Sequence, residues 1–84
     1  MSDIRATVRE FILTNCLPGE LPENLHDDMP LRTSGILDSM TTLKLVAEIE
    51  RVGGFEVEAY EVSDENFRSV DDIVRFVEQR TSAG

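Results

Sequence analysis

Asp38-Ser39, standing directly before an apolar run, is the dipeptide best placed to do chemistry in this 84-residue chain. A carboxylate in that position accepts hydrogen bonds from backbone N–H groups two or three residues on, and the serine then takes the first helical position. Its hydroxyl lies at the positive end of the helix dipole, where exposed N–H groups and the dipole both favour an anion such as a phosphate ester. The same dipeptide is also an ordinary helix cap, and for an isolated Asp-Ser that structural reading is the commoner one. Other reactive groups are scarce. A serine nucleophile needs a base, and the only histidine, His26, sits in a loop with no evident partner, where solvation is the simpler reading. His26-Asp27-Asp28 lacks the spaced oxygen ligands of a calcium loop, and no glycine-rich phosphate loop is present. Cys16, the single cysteine, cannot close an intrachain disulfide and has no metal-binding partner nearby, so it reads as a small, partly buried hydrophobe. The chain holds no self-sufficient catalytic apparatus.

Three segments carry helical periodicity and must position these groups. From Asp3 to about Asn15, Ile4, Val8, Phe11 and Ile12 share one face. From Ser39 to Val52, Leu43, Leu45, Val46, Ala47, Ile49 and Val52 cover most of the circumference, leaving a narrow polar stripe of Thr41, Lys44, Glu48 and Arg51. So wide an apolar arc predicts a central helix touching several neighbours. From Val70 to about Arg80, Val70, Ile73, Val74 and Val77 form a stripe with Phe76 beside it; Ser69 caps it, and Asp71 and Asp72 charge its first turn favourably. Gly53-Gly54 supplies the left-handed stop of the central helix. Phe55-Glu56-Val57-Glu58 alternates like a strand but has none to pair with, so it reads as extended loop. Ser63 before Asp64-Glu65-Asn66-Phe67 reads as a capped single turn, a fourth and short helix.

The connection from Cys16 to Asp38 is 23 residues long and carries Pro18, Gly19, Pro22, Pro30 and Gly35. Structureless loops of this length are uncommon in compact domains and tend to serve a function. Leu21, Leu25, Met29, Leu31, Ile36 and Leu37 are spaced as anchors, which predicts an ordered loop. The expected fold is therefore all-α: a four-helix bundle with three longer helices, one short helix and a long ordered loop between the first two. It forms one domain over residues 1–84, with 81–84 fraying.

Composition narrows the function. Seventeen Asp and Glu against eight Lys and Arg give a formal net charge of −9, which repels phosphate backbones and anionic lipid and excludes nucleic-acid binding as a reading. No stretch approaches the roughly 18 apolar residues of a membrane span, and the N-terminus with Asp3 and Arg5 lacks a secretory apolar core. With a single thiol, these features predict a cytoplasmic protein without membrane insertion. The acids are unevenly spread: residues 56–72 hold seven against Arg68 alone. The central helix, by contrast, sets Asp38, Glu48 and Glu50 against Lys44 and Arg51.

Taken in order, an amphipathic first helix, a long anchored loop, Asp38-Ser39 heading an apolar helix, Phe55-x-Val57 and Glu65-Asn66-Phe67-Arg68-Ser69-Val70 resemble the acyl carrier protein family over nearly the whole chain. The resemblance implies a non-catalytic carrier. Ser39 would receive 4'-phosphopantetheine from coenzyme A through a phosphopantetheinyl transferase, with Asp38 as the adjacent motif acid, and the terminal thiol of the arm would hold cargo as a thioester. Fatty-acid carriers typically follow Asp-Ser with Leu and a strongly acidic helix, and place a glycine two residues before the aspartate. This chain has Met40, and Gly35 lies three residues before Asp38. Gly35-Ile36-Leu37-Asp38-Ser39-Met40 is closer to the Gly-Leu-Leu-Asp-Ser-Met pattern of D-alanyl and other stand-alone aminoacyl carriers. That likeness implies an aminoacyl cargo, an ATP-dependent acyl or aminoacyl ligase that loads it, a downstream acyl-accepting enzyme, and a monomer. Met40, Thr41, Lys44, Ala47, Glu48, Arg51 and Val62 are the expected partner-facing residues, although ordinary packing is the default for Ala47 and Val62. Three other readings stay open: a carrier of fatty or polyketide acyl chains, an unmodified acidic interaction module, and a small hydrolase.

Overall fold

The computed structural model describes residues 4–83. Among them are three α-helices and no strand: α1 (Ile4–Asn15), α2 (Ser39–Gly53) and α3 (Val70–Ala83). Asp3, the expected start of α1, lies outside the described residues, and α3 continues past the expected end at Arg80. Single 3₁₀ turns occupy Pro22–Asn24 and Ala59–Glu61. The radius of gyration, 11.9 Å, agrees with the roughly 12 Å of a compact chain of this length.

The apolar periodicities become the core. Val8 and Ile12 of α1, Leu45 and Ile49 of α2, and Val70, Ile73, Val74, Phe76 and Val77 of α3 are buried together with Phe67. Burying each such side chain stabilises the fold by about 1.5–3 kcal/mol. Ile4 and Val52 face the same small void, so the start of α1 meets the end of α2 and the two helices run antiparallel. Ser69 caps α3 as expected: its hydroxyl accepts from the Asp72 amide at 3.2 Å and donates to the Asp72 carboxylate at 2.8 Å. Asp72 is only 6% exposed and also receives Arg68 and Arg75.

The long connection is ordered, and the reason is visible side chain by side chain. Leu25, Leu31 and Leu37 enter the core, with Met29 and Ile36 packed against it. Leu21 does not anchor: it is 55% exposed, because the chain there turns outward into the 3₁₀ turn beginning at Pro22. Polar bonds finish the attachment. Asp27 receives Arg5 at 2.8 Å and pairs with Arg9, Arg5 also reaches Asp71 at 2.6 Å, and the Asp71 amide donates to the Asp27 carbonyl at 2.9 Å. Arg9 further donates to the carbonyls of Leu25 and Pro22, both at 2.6 Å. Burial works against ionisation of Asp27, but the two arginines outweigh it and hold its carboxyl below the ordinary carboxylate range.

The connection from α2 to α3 departs from expectation in one respect. The segment at 63–67 is one isolated α-type turn, with the Phe67 amide donating to Ser63 O at 3.0 Å and the Ser63 hydroxyl accepting from Asn66 at 3.2 Å. Ser63 caps it as predicted, yet the turn does not propagate into a helix, because Phe67 is drawn into the core and the chain straightens into the α3 cap. Upstream, Tyr60 in the second 3₁₀ turn is almost fully exposed. Gly54 takes the left-handed conformation (φ 72°) that ends α2, and its amide donates to Glu50 O at 3.0 Å. Gly53 answers a different need: the Phe55 ring lies so close that a Cβ there would meet Cε1 at 2.5 Å. That ring is held edge-on by Phe76, at 6.2 Å between centroids, and covered by the Arg80 guanidinium at 4.8 Å.

Two outcomes follow. Gly53→Ala lowers stability by about 1–3 kcal/mol in urea unfolding, the displaced ring costing more than the gain in helix propensity. Asp27→Asn costs about 1–2 kcal/mol near neutral pH. Because the native pKa of Asp27 is lowered, its contribution is present above the unfolded carboxylate value of about 4 and is lost as pH falls through the native value. Urea midpoints of variant and wild type therefore converge below about pH 4.

Candidate functional site

Asp38 is extended (φ −103°, ψ −174°) and Ser39 is the first residue of α2, as the capping pattern requires. Asp38 Oδ1 accepts from the Thr41 amide at 2.8 Å and from the Thr41 hydroxyl at 2.9 Å. In return Thr41 Oγ1 accepts from the Asp38 amide at 2.9 Å, which closes a reciprocal capping box. The Asp38 carbonyl takes the Thr42 amide at 2.9 Å and the hydroxyl of the buried Thr42 at 2.6 Å. Hydrogen bonds from the Thr41 amide first, and its hydroxyl next, hold the Asp38 carboxyl below the ordinary range. The carboxylate is thus committed to the cap as an anion. Ser39 itself is exposed and takes no part in the cap's hydrogen bonds.

Cys16, half-buried just after α1, meets the Thr41 side chain. Burial pushes its thiol up, with the Thr41 hydrogen bond acting in the opposite direction. A thiol held protonated in this way is a poor nucleophile. His26 is exposed on the long connection and is not drawn into the Asp38–Thr41 network. No metal-binding group of three or more His, Cys, Asp or Glu occurs among the described residues.

Along α2 the surface sorts by angle. Met40 is 68% exposed, Leu43 66%, and Ala47 is exposed as well. At 100° per residue all three fall within about a third of a turn of Ser39, so they form one apolar stripe beside the serine. Lys44 and Arg51, both exposed, border it. Glu48 stands nine residues from Ser39, two and a half turns away and so on the opposite side of the helix. It pairs there with Arg51 at 2.5 Å and lines an open groove of about 460 Å³ against Glu10, Phe11 and Asn15 of α1. Thr41 is half-buried in the cap, and Val62 is half-buried in the α2–α3 connection.

Two expectations change as a result. The apolar arc of α2 is not all interior: Leu43 and Ala47 face solvent, because α1 and α3 cover only the side bearing Thr42, Leu45 and Ile49. Leu43, which sequence reading assigned to the core, belongs to the exposed stripe; its position four residues after Ser39 was the available signal. Thr42, a buried hydroxyl bonded to the Asp38 carbonyl, was likewise not anticipated.

The model of a family described as "Phosphopantetheine attachment site" matches residues 12–77. No curated protein matches the chain. Among solved structures, a chain described as "Crystal structure of FAD-dependent dehydrogenase" is 30% identical, with a TM-score of 0.75, over 83% of this chain and 97% of that one.

If the stripe is free surface, replacing its most unexpected member leaves the fold intact. Leu43→Gln is expected to shift unfolding free energy by no more than about 0.5 kcal/mol in a urea titration, whereas a core leucine loses several times that.

Proposed function

The chain belongs to the phosphopantetheine attachment site family, and from that membership we propose that Ser39 bears the arm and that the cargo is a short acyl group, aminoacyl before fatty or polyketide. Members of this family carry 4'-phosphopantetheine and perform no catalysis themselves. The observation that carries the residue assignment is a primary hydroxyl exposed at the first position of α2, inside the matched range. It suits a phosphodiester: the hydroxyl is accessible to a transferase, and the helix dipole favours the negative charge that attachment leaves behind. When bound, the group supplies a terminal thiol that holds cargo as a thioester.

The void between α1 and α2, walled by Ile4, Val8, Leu45, Ile49 and Val52, amounts to about 10 Å³, room for one water molecule at most. A long acyl chain lodged there would displace close-packed side chains. A short aminoacyl group needs no such space, and the likeness of residues 35–40 to aminoacyl carriers supports the same reading.

Partners in this reading are a phosphopantetheinyl transferase, an ATP-dependent ligase and a downstream acyl-handling enzyme. They meet the stripe of Met40, Leu43 and Ala47, with Lys44 and Arg51 at its border selecting against strongly basic surfaces. Asp38 acts as the cap that presents the serine, with Thr41 half-buried in that cap, while Glu48 on the opposite side of α2 and Val62 in the α2–α3 connection would offer partners separate contacts. The similar solved chain suggests the class of the downstream enzyme. Matched over 83% of these 84 residues, about 70, and over 97% of its own length, it has about 72 residues. A chain of that size does not enclose both a flavin and a substrate. We therefore favour a separate flavin-dependent dehydrogenase that oxidises the carried thioester, two electrons and two hydrogens passing from cargo to flavin. The protein works as a monomer in the cytoplasm in this account.

Intact mass spectrometry tests the reading. With coenzyme A and a broad-specificity transferase, wild type gains one arm and Ser39→Ala gains none; no gain on wild type, or an equal gain on the variant, rejects the assignment. Loading the holo-protein with an ATP-dependent aminoacyl ligase then adds a hydroxylamine-labile mass matching an amino acid. A long acyl increment in its place defeats the cargo proposal, and salt-sensitive partner binding indifferent to Ser39→Ala and to coenzyme A would favour the unmodified interaction module.

A further inference from the structure

We propose that Thr41 is a positioning residue for modification of Ser39, its side-chain hydroxyl locking Asp38 into the cap so that the serine leaves the first turn of α2 facing solvent. The inference rests on the Ser39 reading given above. Its basis is the arrangement of the bonds around Asp38. That residue is exposed on the outside of the bundle, so packing does little to restrain it. Hydrogen bonds do the holding instead. Thr41 supplies two donors to Oδ1, at 2.8 and 2.9 Å, and one acceptor to the Asp38 amide, at 2.9 Å.

Two of these three bonds use the hydroxyl; beyond Thr41, the Met40 backbone amide adds a weaker hold on the carboxylate. Thr41 can do this because it is itself fixed. Its β-branched side chain is stiff about χ1, it is half-buried, and the Cys16 side chain meets it from the end of α1. Position Ser39 is therefore tied to α1 through Cys16, Thr41 and Asp38 in turn. The neighbouring Thr42 makes a separate contribution: its hydroxyl bond to the Asp38 carbonyl, at 2.6 Å, holds the start of the helix. Removing the Thr41 hydroxyl thus leaves α2 in place while loosening the residue before the serine, whose carboxylate keeps only backbone amide donors.

A transferase has to bring the serine oxygen in line with the phosphorus it attacks, and misplacement of about an ångström costs up to a hundredfold in rate. A loosened Asp38 lets the first turn fray more often at Ser39, and part of the transferase's binding energy then goes into re-forming it. Thr41→Val keeps the shape and removes the hydroxyl; Thr41→Ser keeps the hydroxyl.

Arm transfer from coenzyme A, followed by intact mass, is expected to show kcat/KM lowered on the order of tenfold for Thr41→Val, with most of the loss restored in Thr41→Ser. A second readout needs neither arm nor transferase. The side-chain carboxyl of Asp38 is titrated by carbon-13 NMR in the unmodified protein, where Cys16 is the titratable group facing the cap from α1 and stays protonated throughout the acid range. Wild type and Thr41→Ser titrate below the ordinary carboxylate range, while Thr41→Val moves up toward it, because hydrogen bonds to the charged form are lost. Equal transfer rates for wild type and Thr41→Val overturn the proposal, as does an Asp38 midpoint that is ordinary in wild type or unmoved in the variant. The wild-type midpoint decides even if Thr41→Val fails to fold. Should wild type accept no arm, the Ser39 reading itself fails, and the NMR titration shows separately whether Thr41 governs Asp38.

Discussion

Asp27 is the point on which this molecule hangs. A connection of 23 residues with no helix longer than one turn has little cooperative structure of its own, and three leucines alone do not fix its path. The carboxylate of Asp27 gathers Arg5 and Arg9 from α1, and its carbonyl takes the first-turn amide of Asp71 from α3. One residue thereby ties loop, first helix and third helix together. From there the chain is guided: the Leu31 amide donates to Arg68 O at 2.7 Å, the Leu37 amide donates to Leu31 O at 2.9 Å, and two residues later Ser39 starts α2. The position of the serine is set by this sequence of attachments as much as by the helix that follows it.

How far this could be read from the sequence varied with the physics involved. The helices of the fold were legible because a 3.6-residue period in Val, Ile, Leu and Phe has one economical solution, and Val8, Ile12, Ile73 and Val77 met it. The Asp38 cap and the Gly54 stop were legible because they satisfy local backbone demands that neighbours in sequence can supply. Leu21 was misread because the chain turns outward there into the 3₁₀ turn at Pro22, and Leu43 for another reason. Whether a leucine is inside depends on which side the other elements cover, and periodicity does not carry that information when apolar residues surround most of a helix. The Asp27 hub was hidden too, since its partners lie 18 to 44 residues away and come from two different helices, α1 and α3.

The candidate site shows the same division. That Asp38 caps α2 and Ser39 begins it was legible in residue type and spacing, while the grip of Thr41 and Thr42 on Asp38 required coordinates. Charge tells a similar story. A net −9 suggests a uniformly acidic particle, yet α2 exposes Met40, Leu43 and Ala47 between Ser39 and two cations. Six of the eight basic residues, Arg5, Arg9, Arg32, Arg68, Arg75 and Arg80, pair with carboxylates outside α2, and Arg51 pairs with Glu48 within it. The bulk charge thus describes solubility and long-range steering, and the surface beside the serine obeys a different, largely apolar logic.

The exposed ring of Tyr60 has an optical consequence. The chain contains one tyrosine and no tryptophan, so its near-ultraviolet emission comes from a single phenol on the surface of a 3₁₀ turn. Unfolding moves that phenol from water to water. Its emission will therefore say little about whether the core is intact and much about what approaches the α2–α3 connection, a built-in reporter of encounter in a protein whose work consists of being visited.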